Sequence, residues 1–501
     1  MKLLLFHLIG QCLALTSASG QHPGLDKLAS SDTVGKCQQA CATLASDFPG
    51  RIHYKGNDAS FTVWDQKQAE VTYECRVQPR DAKEVSRILQ VLVHTWCKFA
   101  VKGGGHSRFP NDSVSVGGVT IDLGLLNSTE LAPDFATARV GGGSLSHEVY
   151  AALEPHGLAY VGGRVGQVGV GGFTLGGGSS VSASKYGWAL DNVLEYEVVL
   201  SNATIVQVSY ESNPDLYYAL RGGGNNFGIV TSFNVSVFPQ GSVYTAARRF
   251  GESQNSRVLA AAEKIYQVQD TEDPNVVLDY RYAYSSELGW GVETTQRYGQ
   301  ALSRPPVYDA LNSIPAQGDL VGGISSLANN TRLSDSLGTT RNLFATLTHY
   351  PSLPVGEAGF RILKDLAEQR NLTSLNPELI TYSIPAAAIT NSKARGGNAL
   401  GFGDVQGHLV INLFSLSWTD RALDQAAYDY ADDFIAEFRK AAEHAEVFHP
   451  FIYLNYANKG QDPFASYGSE NNQKLLKIQK DIDPAGIFTS KGLWNGFFKL
   501  R

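Results

Sequence analysis

Apolar and polar residues alternate between positions 70 and 101 in a way that predicts a β-α-β unit. Residues 71–77 have the pattern of a strand, residues 82–95 that of an amphipathic helix and residues 99–101 that of a second strand. The apolar face of the predicted helix is formed by Val85, Ile88, Leu89 and Leu92. Since such a face packs against a sheet, we expect the glycine-rich loop after residue 101 to lie at the edge of that sheet.

The same kind of pattern continues to residue 241, where a boundary is predicted. Pro239, Gln240 and Gly241 interrupt it, because proline and glycine end regular elements. We interpret residues 66–241 as one domain and residues 31–65 as its N-terminal extension. Further predicted strands lie at 119–123, 137–140 and 229–238, two more lie within 193–209 across an Asn-Ala turn, and predicted helices lie at 145–154 and 215–220.

Beyond residue 241 the glycine-rich loops become rare and longer amphipathic helices follow. A predicted strand at 408–418 places Val410, Phe414, Leu416 and Trp418 on one side. We interpret residues 242–446 as a second domain of mixed α and β structure. The pattern leaves open which of the two domains residues 447–501 belong to. The predicted helices of this part lie at 257–268, 355–368, 422–446 and 471–480.

The first twenty residues have the pattern of a secretory signal peptide. Lys2 precedes an apolar run that reaches residue 15, and small residues at 16–20 suit cleavage after Ala18 or Gly20. A buried N-terminal helix fits less well, because the apolar stretch is short and ends in small residues. Later apolar segments are too short to span a bilayer. We therefore expect a secreted protein without a membrane anchor.

Cleavage at that site removes Cys12 and leaves four cysteines near the N-terminus. An even number of cysteines in a secreted chain predicts two disulfides, with three pairings open. A zinc site is the weaker alternative, because no C-x-x-C pair is present. The four cysteines are Cys37, Cys41, Cys75 and Cys97. Six sequons predict an N-glycosylated product, and they lie at Asn111, Asn127, Asn202, Asn234, Asn329 and Asn371.

Length and charge restrict the class of partner. The chain has 501 residues, 43% of them hydrophobic, which is enough for two or three domains with large cores. The formal net charge is −7, and the Lys and Arg residues are scattered. Nucleic acid and anionic membranes are therefore disfavoured as partners, because both need a basic patch. We expect a small-molecule substrate and a monomeric protein.

Three glycine-rich loops carry the candidate chemistry. They lie at 101–112, 161–178 and 221–228, and the first presents His106 directly after three glycines. Loops of this kind let backbone N–H groups approach a phosphate-bearing ligand closely, since no Cβ stands in the way. Three such loops within about 130 residues are stronger evidence for such a ligand than any one of them.

The sequence does not match several common cofactor-binding and catalytic motifs. Gly169 and Gly171 supply two glycines of a nicotinamide-binding G-x-G-x-x-G motif, but Thr174 stands at the third position. The sequence there also predicts that the loop continues into more glycine and not into a helix. A P-loop lysine, a cluster of metal ligands and a G-x-S-x-G nucleophile motif are all absent from the sequence.

The order of the motifs resembles the FAD-linked oxidases of the vanillyl-alcohol oxidase type, which have a PCMH-type FAD-binding domain. Within them it is most similar to the berberine-bridge-enzyme-like group and its secreted fungal members. The resemblance implies an α+β fold, in which a two-subdomain FAD-binding unit precedes a substrate domain with an antiparallel sheet, and residues 447–501 return to the FAD-binding unit. The motifs are K-G-G-G-H-S (102–107), V-G-V-G-G-F-T-L-G-G-G (168–178), K-Y-G-W-A-L-D-N-V-L (185–194), R-G-G-G-N-N-F-G-I-V (221–230) and Y-L-N-Y (453–456).

The resemblance implies that His106 is bonded covalently to the flavin. Many family members add a second bond from a cysteine, but Val165 stands at that position in this chain and cannot form it. We therefore predict FAD with a single covalent link. The alternative is a turn histidine beside noncovalent FAD.

The family's cofactor contacts fall on residues of the glycine-rich loops and their surroundings. Val168 matches the position that sets the access of dioxygen to the flavin, and valine is the oxidase version. The residues expected to line FAD are Gly103, Gly104, Gly105, Ser107, Gly171, Gly172, Gly178 and Ile229, with Asp191, Asn192 and Val193 close to it.

The Y-L-N-Y motif resembles the segment that reaches over the flavin in oxidases that act on alcohols. It implies that Tyr456 is the general base for the substrate hydroxyl, that Tyr453 contacts the substrate and that Asn455 contacts the cofactor. Asn458 departs from the family, where an acid is common. The alternative is that both tyrosines only pack at a domain interface.

These residues together predict a secreted FAD-dependent oxidase. It would take a hydride from a small organic substrate, an intermediate of secondary metabolism, and pass the electrons to dioxygen with release of hydrogen peroxide. Two alternatives stay open, an oligosaccharide oxidase of the same fold and a flavin-binding module without turnover.

Overall fold

The computed structural model describes residues 31–332, 338–370, 374–403 and 405–501. The predicted signal peptide and the sequon at Asn371 lie outside these residues. Within them, the structure contains three β-sheets, each with a hydrophobic core of its own. None of the helices in the described ranges is long and apolar enough to cross a membrane.

The first sheet contains the predicted β-α-β unit. Helix Ala82–Thr95 has the predicted bounds, because Asp81 caps it by accepting a hydrogen bond from the Glu84 N–H at 2.8 Å and Trp96 ends it in a left-handed conformation. The strand predicted at 71–77 is formed only by Cys75–Val77, since the chain before it pairs with loops. The strand order is Ile52–His53, Cys75–Val77, Val119–Asp122 and Phe99–Lys102.

Two disulfides fasten the N-terminal helix to this sheet. Helix Ser31–Asp47 packs on helix Ala82–Thr95 and carries one cysteine of each pair. The bonds join Cys37 to Cys97 and Cys41 to Cys75, which selects one of the three pairings left open by the sequence. Such cross-links over 60 and 34 residues restrict the unfolded chain and so stabilise the fold.

The second sheet is antiparallel and has six strands. Strand Ile229–Pro239 lies at its centre and pairs with three others. The path runs through Thr129–Leu131, Thr137–Gly141, Ile229–Pro239, Val193–Val199 and Ile205–Ser209, and Leu158–Tyr160 also pairs with the central strand.

The third sheet is antiparallel, has eight strands and is covered by helices on one face. Helices Asn255–Thr271, Leu353–Gln369 and Asp424–His444 pack against it and against each other, each within a few residues of its predicted bounds. The predicted α+β class with an antiparallel sheet is therefore confirmed. The strand order is Val321–Ser325, Val243–Gly251, Gly289–Tyr298, Val276–Ser285, Asn376–Ile384, Leu409–Trp418, Arg341–His349 and Phe448–His449.

Strand alternation gives this sheet one apolar and one polar face. On strand Val276–Ser285, Leu278 and Tyr282 belong to the core under the helices. Asp279 and Arg281 between them line a cavity on the opposite face. The sheet therefore carries charged side chains toward the glycine-rich loops.

The C-terminal segment contacts both halves of the molecule. Strand Phe448–His449 extends the edge of the eight-stranded sheet, and helix Ser469–Ile482 packs on helix Pro214–Leu220 of the other half. The Phe99 N–H donates to the Leu493 carbonyl at 3.0 Å. The domain limits at 241 and 446 stay predictions.

The remaining α-helices of the described residues are short. They are Gln66–Ala69, Ser146–Leu153, Val170–Leu175, Ala183–Tyr186, Asp309–Asn312, Leu327–Thr331, Ala386–Asn391 and Pro463–Ser466.

Candidate active site

One large cavity separates the glycine-rich loops from the open face of the eight-stranded sheet. Its volume is about 540 Å³. Twelve of the site residues predicted from the sequence line it. They are Gly103, Gly104, Gly105, His106, Ser107, Val168, Gly171, Gly172, Ile229, Tyr453, Asn455 and Tyr456. The structure therefore gathers most of the predicted site residues, from four of the five motifs, around one cavity.

The first two glycine-rich loops touch each other through their backbones. A Cβ added to Gly104 would lie 2.5 Å from the Cα and N atoms of Gly169. Gly105 has a φ of +74°, which L side chains rarely adopt. Glycine at these positions therefore permits the close packing that forms this wall of the cavity.

We expect Gly104→Ala to destabilise the protein by about 1–3 kcal/mol, because the new methyl group meets backbone that cannot rotate away. Urea denaturation followed by circular dichroism measures the change. Gly35→Ala is the matched control, since Gly35 lies in a helix and its added Cβ would have no neighbour within 4 Å. A Gly104→Ala protein as stable as the wild type would contradict this packing.

His106 lies at the end of the first loop and lines the cavity. Its ring stacks on Trp64, with centroids 4.1 Å apart and planes 9° from parallel. The backbone at Trp64 is joined to the same loop, because its backbone N–H donates to the Gly105 carbonyl at 3.0 Å. Burial, with a further contribution from the charge of Arg108, lowers the pKa of His106 to about 3. The imidazole is therefore neutral at physiological pH, and its Nε2 is buried without a hydrogen-bond partner in the described part of the chain.

The second loop departs from its prediction at one point. Residues Val170–Leu175 form a short helix directly after Gly169, whereas the sequence predicted more loop. Gly171 and Gly172 lie in its first turn, so N–H groups at its start have no partner within the helix. Val165 and Val168 precede it and line the cavity.

Two tyrosine hydroxyls meet in the cavity wall. The Tyr382 hydroxyl donates to the Tyr456 hydroxyl at 3.0 Å. Tyr382 is buried, and burial raises its pKa well above the usual value, so it stays a donor. The Tyr456 oxygen is therefore held by a hydrogen bond within the cavity wall.

A charged group lies behind this pair. The Arg164 guanidinium carbon lies 3.8 Å from the centroid of the Tyr382 ring. Arg164 donates to Asp279 at 2.7 Å, and Arg297 bonds the same carboxylate. The cation therefore faces the two tyrosines, and its position is set by a carboxylate on the eight-stranded sheet.

Tyr453 is a less open group than the sequence suggested. Its hydroxyl accepts hydrogen bonds from the N–H groups of Gly178 and Ser179 and from the Asn455 amide, at 3.0–3.1 Å. Its ring lies edge to face on Tyr456, with centroids 4.7 Å apart. The Tyr453 ring therefore packs on Tyr456, and its oxygen accepts three hydrogen bonds from the protein, so its O–H is the group left for the predicted substrate contact.

Asn458, the residue that departs from the family, does not face Tyr456. Its amide donates to Asp432 at 3.1 Å, and its N–H donates to the Gln461 side chain at 3.0 Å. The local support of Tyr456 therefore comes from Tyr382 and Tyr453, not from position 458.

Four predicted cofactor positions are not brought to the cavity wall. Asp191 is buried in an ion pair with Arg221 at 2.6 Å, and the Asn192 amide donates to the carbonyls of Tyr186 and Trp188. Their polar groups are thus used within the protein. The four positions are Gly178, Asp191, Asn192 and Val193.

Several residues of the cavity were missed by the sequence reasoning. Three lie on strands of the eight-stranded sheet, one lies in the N-terminal extension and two lie within the first and second glycine-rich loops, and no spacing in the sequence connects them. They are Trp64, Arg108, Arg164, Asp279, Phe344 and Tyr382. Only Arg108, two positions after His106, and Arg164, within the second glycine-rich loop, could have been noticed from the loops themselves.

The residues around the cavity fit the FAD that the sequence resemblance implies. Nε2 of His106 is a buried nitrogen that no hydrogen-bond partner among the described residues satisfies. At Gly172 an added Cβ would meet nothing within 4 Å, which leaves open space beside the start of helix Val170–Leu175. A helix start and exposed glycine backbone are the groups that hold a pyrophosphate.

Comparison with known proteins gives the same cofactor. Residues 73–209 match the family described as FAD binding domain. The chain is 33% identical to the FAD-dependent monooxygenase tpcD of Cochliobolus heterostrophus over 500 aligned residues, which cover 93% of this chain and 95% of that protein. It is 30% identical to the bifunctional solanapyrone synthase of Alternaria solani, over 93% of this chain and 90% of that protein.

Solved structures share the fold at low sequence identity. The BBE-like 1 protein of Physcomitrella patens is 19% identical, with a TM-score of 0.74 and coverage of 92% of this chain and 99% of that chain. A glucooligosaccharide oxidase of Acremonium strictum, described with a 6-S-cysteinyl, 8α-N1-histidyl FAD, is 18% identical, with a TM-score of 0.73 and coverage of 93% and 98%. This level of identity supports the fold alone.

Proposed function

We propose that this chain, which belongs to the FAD-linked oxidoreductases of the vanillyl-alcohol oxidase type and to their berberine-bridge-enzyme-like group, is a secreted oxidase. It takes a hydride from a small organic substrate and passes the two electrons to dioxygen, which leaves as hydrogen peroxide. The observation that carries the proposal is the contact between the Tyr382 and Tyr456 hydroxyls in a cavity that also contains His106.

His106 is the proposed single covalent anchor of FAD. When bound, the flavin accepts the hydride and hands its electrons to dioxygen. The anchor needs a neutral imidazole, because a protonated nitrogen has no lone pair with which to form a bond. Burial of His106 and its stacking on Trp64 favour that form and fix the plane of the ring. Val165, at the place of the family's cysteine, supplies no second bond.

Tyr456 is the proposed base. A C–H bond next to a hydroxyl gives up its hydride only as the O–H proton is removed, so a proton acceptor must stand at the substrate oxygen. The hydrogen bond from Tyr382 orients the Tyr456 hydroxyl, and the Arg164 guanidinium packs on the Tyr382 ring behind it. The substrate proton moves to the Tyr456 oxygen, and the two protons and two electrons removed from the substrate balance the reduction of dioxygen to hydrogen peroxide.

The proposed substrate is an intermediate of secondary metabolism. The proposed single flavin bond favours this choice, since sugar-oxidising members of the family tend to carry two. An oligosaccharide oxidase is the alternative of the same fold, and a flavin-binding module without turnover is the alternative of another class. The relatives named as monooxygenases add a further possibility, the insertion of one oxygen atom into the product.

Oxygen consumption and peroxide release, measured together, test the proposal. Purified protein is given a panel of fungal phenols, alcohols and pyrones and a panel of oligosaccharides. An oxidase releases one peroxide for each dioxygen consumed. A response to sugars alone would favour the oligosaccharide oxidase, oxygen uptake without peroxide would favour a monooxygenase, and bound FAD without any turnover would favour the binding module.

Secretion is supported by the two disulfides, which persist in oxidising compartments. Among the sequons in the described part of the chain, those at Asn127, Asn202 and Asn329 are exposed and are the proposed sites of glycosylation. N-terminal sequencing and a mass shift with endoglycosidase on protein from the culture medium test both features.

A further inference from the structure

One arginine of the cavity has no anionic partner. Arg108 is 5% exposed and lines the cavity two residues after His106. Its Nη2 makes one long bond, to the Ala457 carbonyl at 3.3 Å, and its Nε is buried with no partner. Within the described ranges, no carboxylate oxygen lies within 4 Å of its guanidinium nitrogens.

The other arginines of the same cavity are all paired. Arg164 and Arg297 share Asp279, and Arg281 bonds both Glu293 and Glu378 at 3.1 Å. Arginine is rarely buried without an anion, because a desolvated charge is costly unless another group compensates it. Arg108 therefore stands out as a cation whose partner is not part of the chain that the structure describes.

The carboxylates nearest to Arg108 are already engaged. Asp112 accepts hydrogen bonds from the Ser107 hydroxyl and the Phe497 N–H, and Asp65 pairs with Lys67. Burial lowers the pKa of Arg108 to about 10, although the negative charges of Asp112 and Asp65 raise it in part. The guanidinium is still charged at physiological pH.

Its position is fixed close to the proposed base. The guanidinium carbon lies 4.3 Å from the centroid of Phe344, and Phe344 packs edge to face on Tyr456 with centroids 6.0 Å apart. The carbonyl that Arg108 bonds belongs to Ala457, the residue after Tyr456. A group held by Arg108 would thus lie beside the hydroxyl that Tyr456 is proposed to deprotonate.

We propose that Arg108 binds a carboxylate of the substrate, so that the protein acts on an acidic small molecule. The planar guanidinium offers two parallel N–H groups, which match the two oxygens of a carboxylate, and a partly desolvated site strengthens the pair. This inference rests on the proposed function for the identity of the substrate, but the binding of a carboxylate by Arg108 can be measured without turnover.

Calorimetric titration of the purified holoprotein with benzoate and with benzamide tests the proposal. The two probes have the same shape and differ in charge. Benzoate is expected to bind at least about tenfold more tightly than benzamide. A tenfold difference in affinity is about what one hydrogen bond to a charged group contributes. Equal affinities, or no binding of benzoate, would overturn the proposal.

Variants identify the responsible cation. Arg108→Gln is expected to abolish the preference for benzoate, and Arg108→Lys to keep part of it. Arg281→Gln is the matched control, because Arg281 lines the same cavity but is already paired, and it should keep most of the preference. A preference that survives in Arg108→Gln, or that disappears equally in Arg281→Gln, would contradict the assignment to Arg108. Circular dichroism of each variant confirms that it is folded.

The calorimetry separates this inference from the proposed function. Flavin absorbance is recorded for every preparation, and the titration gives a result whether or not flavin is present. Protein that contains no flavin but prefers benzoate would refute the proposed oxidase and support the role of Arg108. Protein that carries flavin and releases peroxide, but binds both probes equally, would support the proposed oxidase and refute the role of Arg108.

Discussion

Replacement of Tyr456 by phenylalanine is expected to lower kcat by about 10²–10⁴-fold, the usual effect of removing a general base. The Tyr456 ring packs on Tyr453 and Phe344, and the variant keeps that ring, so the change removes only the oxygen. Flavin content is expected to be unchanged. Stopped-flow reduction of the flavin under anaerobic conditions, with a substrate found in the peroxide screen, measures the effect on the chemical step.

Tyr382→Phe is the companion variant. It removes the hydrogen bond that positions the Tyr456 hydroxyl but leaves the base in place, so we expect it to slow flavin reduction, but less than Tyr456→Phe does. A Tyr456→Phe protein that reduces its flavin at the wild-type rate would contradict the assignment of the base. A Tyr382→Phe protein that reduces its flavin as fast as the wild type would show that Tyr382 does not position the base.

Replacement of His106 by alanine is expected to release the flavin when the protein is denatured. The wild-type precipitate from trichloroacetic acid should be yellow, and the flavin of the variant should stay in the supernatant, because Val165 offers no other attachment. The folded variant still has the glycine-rich loops that line the cavity and is expected to bind FAD reversibly. Flavin absorbance of pellet and supernatant measures the distribution.

His156→Ala is the control for that experiment, since His156 is exposed and does not line the cavity. It should keep the colour in the pellet. Colour that remains in the His106→Ala pellet would mean that another residue holds the flavin. Colour that leaves both the wild type and the variant would mean that FAD is bound without a covalent link.

Local signals explain which elements could be predicted from the sequence. Helix Ala82–Thr95 was predicted with its observed bounds because its cap, its apolar face and its end are all encoded within sixteen neighbouring residues, from Asp81 to Trp96. The strand before it was predicted too long, because residues 71–74 are apolar at alternate positions but bond to loop residues. Helix Val170–Leu175 was missed because its glycines are poor helix formers, and surrounding packing decides its conformation.

Non-local contacts explain what the sequence left open. The disulfide pairing depends on how helix Ser31–Asp47 lies on the sheet, which no spacing of the cysteines determines. Tyr382 and Tyr456 are separated by 74 positions, and Arg164 lies more than 200 before Tyr382. Their meeting follows from the placement of the C-terminal segment over the eight-stranded sheet.

The resemblance to a family correctly predicted most residues that line the cavity, but it also included residues that do not line it. The glycine-rich loops, His106 and the Y-L-N-Y segment do meet at one cavity. Asp191 and Asn192 lie in an equally strong motif, but their side chains bond Arg221 and backbone carbonyls. A motif match thus identifies residues under structural constraint without telling which of them face the ligand.

Mass spectrometry of peptides from the wild-type protein tests the central claim most directly. The account predicts one flavin-bearing peptide, which contains His106, with the added mass of FAD and with fragment ions that place it on the imidazole. It also predicts that the peptide containing Val165 is unmodified. An unmodified His106 peptide, or a flavin attached to any other residue, would contradict the account.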